Sequence, residues 1–228
     1  MPRAAADGAA PYRSDVLPTD SGIRPPQQRR SRESLERVLR AGERVLADSG
    51  YEGFTIAEVS RRAKVSVGSV YGRFDNKDAL IRAIHARMME RLTGPEEEVA
   101  STADDAALDL AAVLARGVHA LADSMDRERT LLRVFMVRGA VDPAISAPGS
   151  KASQATGRAF KTAVLGHRDE IGHRDPQLAA DVAFRMVYDV LARQVMHGPT
   201  FESDLMIEWD RLVDELIAAA LSYLRAAG

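Results

Sequence analysis

The 228-residue chain, 46% hydrophobic, is long enough to bury a full core and suits one or two domains. The absence of cysteine excludes a disulfide framework and a thiolate metal site, and suits a reducing cytoplasm. No apolar run approaches membrane-spanning length and no apolar signal core opens the sequence, so a soluble protein with no membrane partner is expected. The net charge of −2 hides an asymmetry: residues 29–92 carry 14 Lys/Arg against 9 Asp/Glu, and residues 93–228 carry 14 against 21. A module of net +5 beside a remainder of net −7 fits a head that binds a polyanion and a body that DNA repels. Standing alone, chance variation in solvated charge would account for it equally.

Residues 1–28 are rich in Ala, Pro, Gly and Ser without periodicity; with Arg29 and Arg30 they read as a disordered arm over 1–30. The basic end, Arg29-Arg30-Ser31-Arg32, can reach phosphates or a minor groove, and a solubilising tail explains it as well. Ser34 or Ser31 is expected to cap a first helix with the apolar stripe Leu35, Val38, Leu39, Val45 and Leu46, ended by Gly50. A short link brings in Phe54. Thr55 then caps a second helix, with Glu58 placed for a capping box and Ile56, Val59 and Ala63 on the buried stripe. After a tight turn Ser66 caps a third helix that buries Val70 and Phe74. Val67, Gly68, Ser69, Tyr71 and Arg73 are left facing outward. Small, hydroxylated and aromatic side chains on a short helix fit a DNA major groove without steric conflict. Asn76 caps the next helix, where Lys77 and free amides suit a phosphate.

A long amphipathic helix follows, with Leu80, Ile81, Ile84, Met88 and Leu92 on one side, broken at Gly94-Pro95. His85 near that stripe reads as a packing histidine. From Asp104 the pattern is helical throughout. One helix carries Leu108, Leu110, Ala111, Leu114, Val118, Leu121 and Met125, and the next carries Leu131, Leu132, Phe135, Met136 and Val137. With Pro143 and Pro148, residues 140–149 read as a loop, and residues 152–165 as a helix around Ala155, Phe160 and Val164. The repeat Gly166-His167-Arg168-Asp169 and Gly172-His173-Arg174-Asp175 lacks the partners of a kinase loop or a metal site, and reads as a solvated turn. Asp175-Pro176 opens a helix with Val182, Met186, Val190, Leu191 and Val195, stopped at Gly198-Pro199. Ser203 is expected to cap a last helix with Leu205, Met206, Trp209, Leu212, Val213, Leu216, Ile217, Leu221 and Leu224. No strand signal occurs, so the fold class is all-α.

The run A-K-V-S-V-G-S-V-Y-G-R-F-D-N-K-D-A-L resembles the DNA-binding signature of the TetR family of bacterial transcriptional regulators. The likeness extends over residues 34–92, with Tyr71, Phe74 and Lys77 as landmarks. It implies a three-helix DNA-binding head over 31–78, its helix-turn-helix at about 55–74, and a helical regulatory and dimerisation body over 79–228. By resemblance, Thr55, Ser66, Tyr71 and Lys77 hold phosphates, Val67, Gly68 and Ser69 face bases, and Arg73 lies on the same surface. Val67 stands where the family often has a polar or basic residue, which favours a thymine methyl, and Gly72 replaces a bulky residue. Arg61, Arg62 and Lys64 either add attraction or form a solvated face.

The resemblance further implies a two-fold homodimer through the last two helices, with Val190, Trp209, Leu212, Leu216 and Leu221 at the interface. Two heads about 34–36 Å apart then match a palindromic site in double-stranded DNA. It also implies an effector pocket in the body, for which Phe135, Met136, Phe160, Phe184, Met186 and Tyr188 are the candidate residues; ordinary core explains any one of them equally. Few charges fall on those stripes, which favours a hydrophobic small molecule. No cofactor, metal or catalytic residue is expected. The reading is a cytoplasmic, ligand-responsive repressor. The alternatives are an all-helical enzyme or ligand carrier retaining the head, or a transcriptional activator.

Overall fold

The computed structural model describes residues 26–101 and 108–227. Among these residues every regular element is helical. The first is α1 (Pro26–Gly53), whose helical path breaks at Gly50, φ 64°, the left-handed value that glycine adopts without a Cβ clash. Its start lies ahead of the expected caps Ser31 and Ser34: Pro26, with φ preset for a first turn, begins it, so the last residues of the expected arm are helical. The rest of that arm, residues 1–25, lies outside the described residues. Next come α2 (Ile56–Ala63), α3 (Val67–Tyr71) and the long α4 (Lys77–Ser101). The α4 backbone continues through Gly94 and Pro95, where a break was expected. The turn gives up the Pro95 N–H, and the helix continues through the good helix formers Glu96, Glu97 and Glu98.

The body consists of α5 (Leu110–Arg127), α6 (Arg129–Gly139), α7 (Pro143–Leu165), a 3-10 turn (Arg168–Glu170), α8 (Pro176–His197) and α9 (Trp209–Arg225). Two expectations fail here. Residues 143–149 are not loop: Asp142 accepts from the Ala144 amide at 3.0 Å with Pro143 in the first turn, and the helix passes through Pro148. Ser203 does not cap the last helix. Its Oγ accepts from Leu205 N in a local turn, and α9 begins only at Trp209. Leu205 and Met206 are consequently exposed. The repeated Gly-His-Arg-Asp segment is a turn, as expected: His173 Nδ1 accepts from Asp175 N, and Asp175 caps α8 through Leu178 N.

Two hydrophobic cores result. In the body, Leu110, Leu114 and Val118 of α5 meet Phe160 and Val164 of α7, Val187 and Leu191 of α8, and Val213 and Leu224 of α9. In the head, Val38, Val45 and Leu46 of α1, Val59 of α2 and Val70 of α3 pack on Leu80, Ile81, Ile84 and Met88 of α4. Gly42 permits a close α1–α4 approach, since a Cβ there would stand 2.5 Å from Ile84 Cδ1. The head core is not closed by the head alone: Leu131 and Phe135 of α6 and Ile145 of α7 complete it. No helix among the described residues is long and apolar enough to cross a membrane.

Candidate nucleic-acid interface and effector cavity

The α2–turn–α3 unit is assembled by short-range hydrogen bonds. Thr55 Oγ1 accepts from Glu58 N at 3.2 Å and starts α2. The Glu58 carboxylate does not return to close a capping box; it takes Arg61 at 2.6 Å and Arg62 at 2.6 Å, and Arg62 continues to Asp48 on α1. Charge pairing outcompetes the neutral amide, and the two guanidiniums lower the Glu58 carboxyl to about 2. Arg61 and Arg62 are therefore engaged within the head. Lys64 ends α2 at φ 54°, and buried Ser60 pins the turn by donating to Val65 O at 2.6 Å. Sequence reading passed over Ser60; a hydroxyl on an otherwise apolar stripe was its only signal.

Ser66 caps α3 by accepting from Ser69 N at 3.1 Å, and the two hydroxyls lie 2.7 Å apart. Val70 is fully buried, which turns the opposite face outward: Val67 is 43% and Tyr71 52% exposed, with Gly68, Ser69 and Arg73 also exposed. The structure thus brings Ser66, Val67, Gly68, Ser69, Tyr71 and Arg73 onto one accessible surface, with Thr55 exposed at the start of α2. Arg73 has no ion pair among the described residues. Asn76 caps α4 through Ala79 N at 2.9 Å. Lys77 is more constrained than the sequence implied: Nζ donates to Tyr51 O at 2.8 Å and lies 4.6 Å from the centre of the Tyr51 ring. An ammonium has two further donors, so bracing the head leaves a phosphate contact open to it.

Tyr51 is gripped on several sides. Its hydroxyl donates to Asp78 at 2.6 Å, and the Arg138 guanidinium of α6 lies 4.0 Å from its ring centre. Asp78 raises the phenol's pKa through that hydrogen bond. A second brace centres on Arg91 of α4, which meets Glu128 just before α6 at 2.6 Å and Glu43 of α1 at 2.9 Å. These hydrogen-bonded carboxylates hold its pKa far above the usual arginine range.

A cavity of about 280 Å³ lies among α4, α5, α6, α7 and α8. From α4 it is lined by His85, Met88, Met89 and Leu92, and from α5 by Leu121, Ser124 and Met125. From α6 come Leu132, Phe135 and Met136, and from α7 Ile145 and the hydroxyl residues Ser146, Ser150, Ser153 and Thr156. Of the six sequence candidates, Phe135, Met136 and Tyr188 line it. Phe160 and Phe184 do not; they pack against each other at 5.5 Å in the body core. Met186 does not line it either; it is exposed on α8, beside the buried stripe that holds Ala183 and Val187. His85, Met88 and the α7 hydroxyls were missed as lining. His85 does pack as expected, its ring 4.6 Å from that of Phe135, while also forming cavity wall.

On the outside of the body, Met186 and Val190 of α8 are exposed, and Leu212, Leu216 and Leu221 of α9 are half-buried. Trp209 is half-buried under the Arg129 guanidinium at 4.2 Å.

A helix-turn-helix with an accessible third helix is thus joined to a helical body around a cavity. Residues 38–84 match the profile described as bacterial regulatory proteins, tetR family. A TetR-family transcriptional regulator from Mesorhizobium loti superposes with a TM-score of 0.65 at 19% identity, covering 86% of this chain and 96% of that one. A transcriptional regulator from Rhodococcus sp. RHA1 gives 0.62 at 24% identity over 85% and 98%, and a TetR regulator from Haloarcula marismortui 0.65 at 18% over 86% and 98%. No curated protein matches the sequence. Residues 38–84 thus resemble the tetR family of bacterial regulatory proteins, and the chain shares the fold of solved TetR-family transcriptional regulators.

Proposed function

We propose that the protein is a cytoplasmic, ligand-responsive transcriptional repressor, a homodimer that holds a palindromic operator and leaves it when a small, largely hydrophobic molecule fills the cavity. One observation carries this reading: Met88, Phe135 and Ile145 line the cavity and also close the core of the head. A ligand against these side chains would bear directly on α4, and α4 opens at Lys77 beside the helix-turn-helix. The change is a population shift, requiring the ligand to prefer the conformation that DNA does not.

Dimerisation is supported by the partly exposed Met186 and Val190 on the outside of α8, beside the half-buried leucines of α9. A two-fold axis there would present two α3 helices to successive major grooves. Selection of bound fragments from random and genomic DNA at two salt concentrations tests the reading. A palindromic site whose affinity falls steeply with salt supports it, and Tyr71→Ala and Lys77→Ala should each weaken that binding while the dimer survives. No enrichment would turn the assignment toward an all-helical enzyme or carrier. Transcription rising with occupancy would make the protein an activator.

A further inference from the structure

His85 occupies a position that the DNA-binding reading does not explain. It is 4% exposed, lies on α4 between Ile84 and Met88, and forms wall of the cavity. Its ring touches Phe135, yet among the described residues neither ring nitrogen has a hydrogen-bond partner. The ring therefore borders the void with hydrogen-bonding capacity that no described protein group uses. Together with Met89, His85 also lines a second, more open groove, bordered by Arg82, Ala86, Glu90, Ala144 and Pro148. The same two residues therefore separate the cavity from a groove between α4 and the start of α7.

The rest of the wall defines what could enter. No Asp, Glu, Lys or Arg lines the cavity. A carboxylate or ammonium placed there would lose its hydration without a counter-charge, a cost of several kcal/mol or more. Most lining is aliphatic, thioether or aromatic. The exception is a row of hydroxyls on α7 at Ser146, Ser150, Ser153 and Thr156, whose spacing puts them on one side of the helix. Ser153 is already committed, donating to the Tyr188 hydroxyl at 2.7 Å. A volume of about 280 Å³ sits near the lower end of the range for small-molecule sites.

Resting on the repressor reading, we propose that His85 is the polar anchor of an uncharged, mostly apolar effector bearing a hydroxyl group, and that this molecule passes between α4 and α7 to reach it. A neutral imidazole offers one donor and one acceptor, and a hydroxyl can satisfy either, whereas a carbonyl satisfies only the donor. Burial lowers the pKa of His85 and keeps the ring in that neutral form.

The test uses the full-length protein and N-phenyl-1-naphthylamine, an uncharged dye that brightens in apolar cavities, displaced by biphenyl, 4-hydroxybiphenyl or biphenyl-4-carboxylate. In the unmodified protein 4-hydroxybiphenyl should displace the dye about tenfold more strongly than biphenyl, equivalent to about 1.4 kcal/mol, with the carboxylate the weakest. His85→Phe should bring the phenol and the hydrocarbon to equal affinity with little change for biphenyl. His85→Gln, which keeps a donor and an acceptor, should retain the preference for the phenol. A preference that survives in His85→Phe, or a carboxylate that binds best, overturns the assignment. Operator binding, followed by fluorescence anisotropy of a selected DNA fragment, separates the two readings. A His85-dependent phenol that leaves DNA bound keeps His85 and removes the release mechanism. A protein that binds its operator but takes up no dye removes the effector site alone.

Discussion

Phe135→Ala is the substitution that most directly probes the coupling of cavity to head. The side chain is 3% exposed, packs with Leu131 and Ile145 in the head core, and presents its ring to His85 at 4.6 Å. Truncating a fully enclosed phenylalanine costs roughly 3–5 kcal/mol, the upper values belonging to sites packed on every side. Here one side already faces a cavity, so fewer contacts are lost and the cost should fall near the lower end, about 3 kcal/mol. For a chain of this size that is a fall in melting temperature of roughly 6–12 °C. Calorimetry at fixed protomer concentration measures it, because a dimer's transition moves with concentration. The α3 surface does not include Phe135, so operator affinity at 25 °C should change little. The response should be lost: an effector that releases the unmodified protein should enter the enlarged cavity and leave the variant on DNA. Unchanged stability would show that the ring is not an enclosed part of the head core. Full effector response in a destabilised protein would place the coupling on other side chains.

Arg73→Ala removes an exposed cation with no internal ion pair from each head. If each contacts one phosphate, the slope of log K against log salt should become shallower by about 1.8 for a dimer, measured by anisotropy titrations, and an unchanged slope would remove Arg73 from the interface. Val190→Asp places a charge on the outer apolar face of α8, at a side chain 39% exposed in the single chain. It should give a folded monomer by sedimentation velocity, and a persisting dimer would move the interface elsewhere. Acid should destabilise the protein through His85, because its folded pKa lies below the unfolded value of about 6.5. Between the two pKa values the unfolded chain binds the proton, so stability is full above about pH 6.5 and declines as pH falls below it. No carboxylate or cation lines the cavity side of the ring, and Arg82 and Glu90 border its groove side. Melting curves across this range should show a smaller decline in His85→Phe, and parallel curves would contradict the argument.

Much of the head was legible because its determinants are local. A hydroxyl at Thr55 or Ser66 caps the helix that starts beside it, and Val70 at its spacing decides which side of α3 faces outward. The body was legible as helix and less so in its limits. Asp142-Pro143 carries the same cap-and-proline signal as Asp175-Pro176, but Pro148 and Gly149 five and six residues later masked it. That misreading hid the α7 hydroxyl row, since Ser146 and Ser150 share a face with Ser153 and Thr156 only if residues 143–149 are helical. Residue type likewise failed to sort Phe135 from Phe160: both are buried, and only the packing of α5, α7 and α8 decides which ring borders a void. Lys77 and Arg62 show the same limit for charge, because their partners Tyr51 and Asp48 lie on α1, 26 and 14 residues away.

The long-range contacts bear on how a signal could travel. Arg91 joins α4 to α1 through Glu43 and to the start of α6 through Glu128, while Tyr51 at the end of α1 is held between Lys77 of α4 and Arg138 near the end of α6. Pairs of this kind, half-buried and shared among three helices, favour movement of α1, α4 and α6 as one unit over bending of any one of them. The cavity is lined by α4 and α6 of that set together with α5, α7 and α8. In the proposed dimer α8 and α9 are fixed across the two-fold axis, so a ligand that widens the cavity turns each head relative to the axis rather than distorting it. The helix-turn-helix would keep its internal hydrogen bonds and lose only its spacing to its mate. A hundredfold loss of operator affinity then requires about 2.7 kcal/mol of coupling, and by linkage the same factor must separate the effector's affinity for free and DNA-bound protein. The energy has to come from how differently the two arrangements of α4 and α6 receive the ligand, because α3 itself does not touch the cavity.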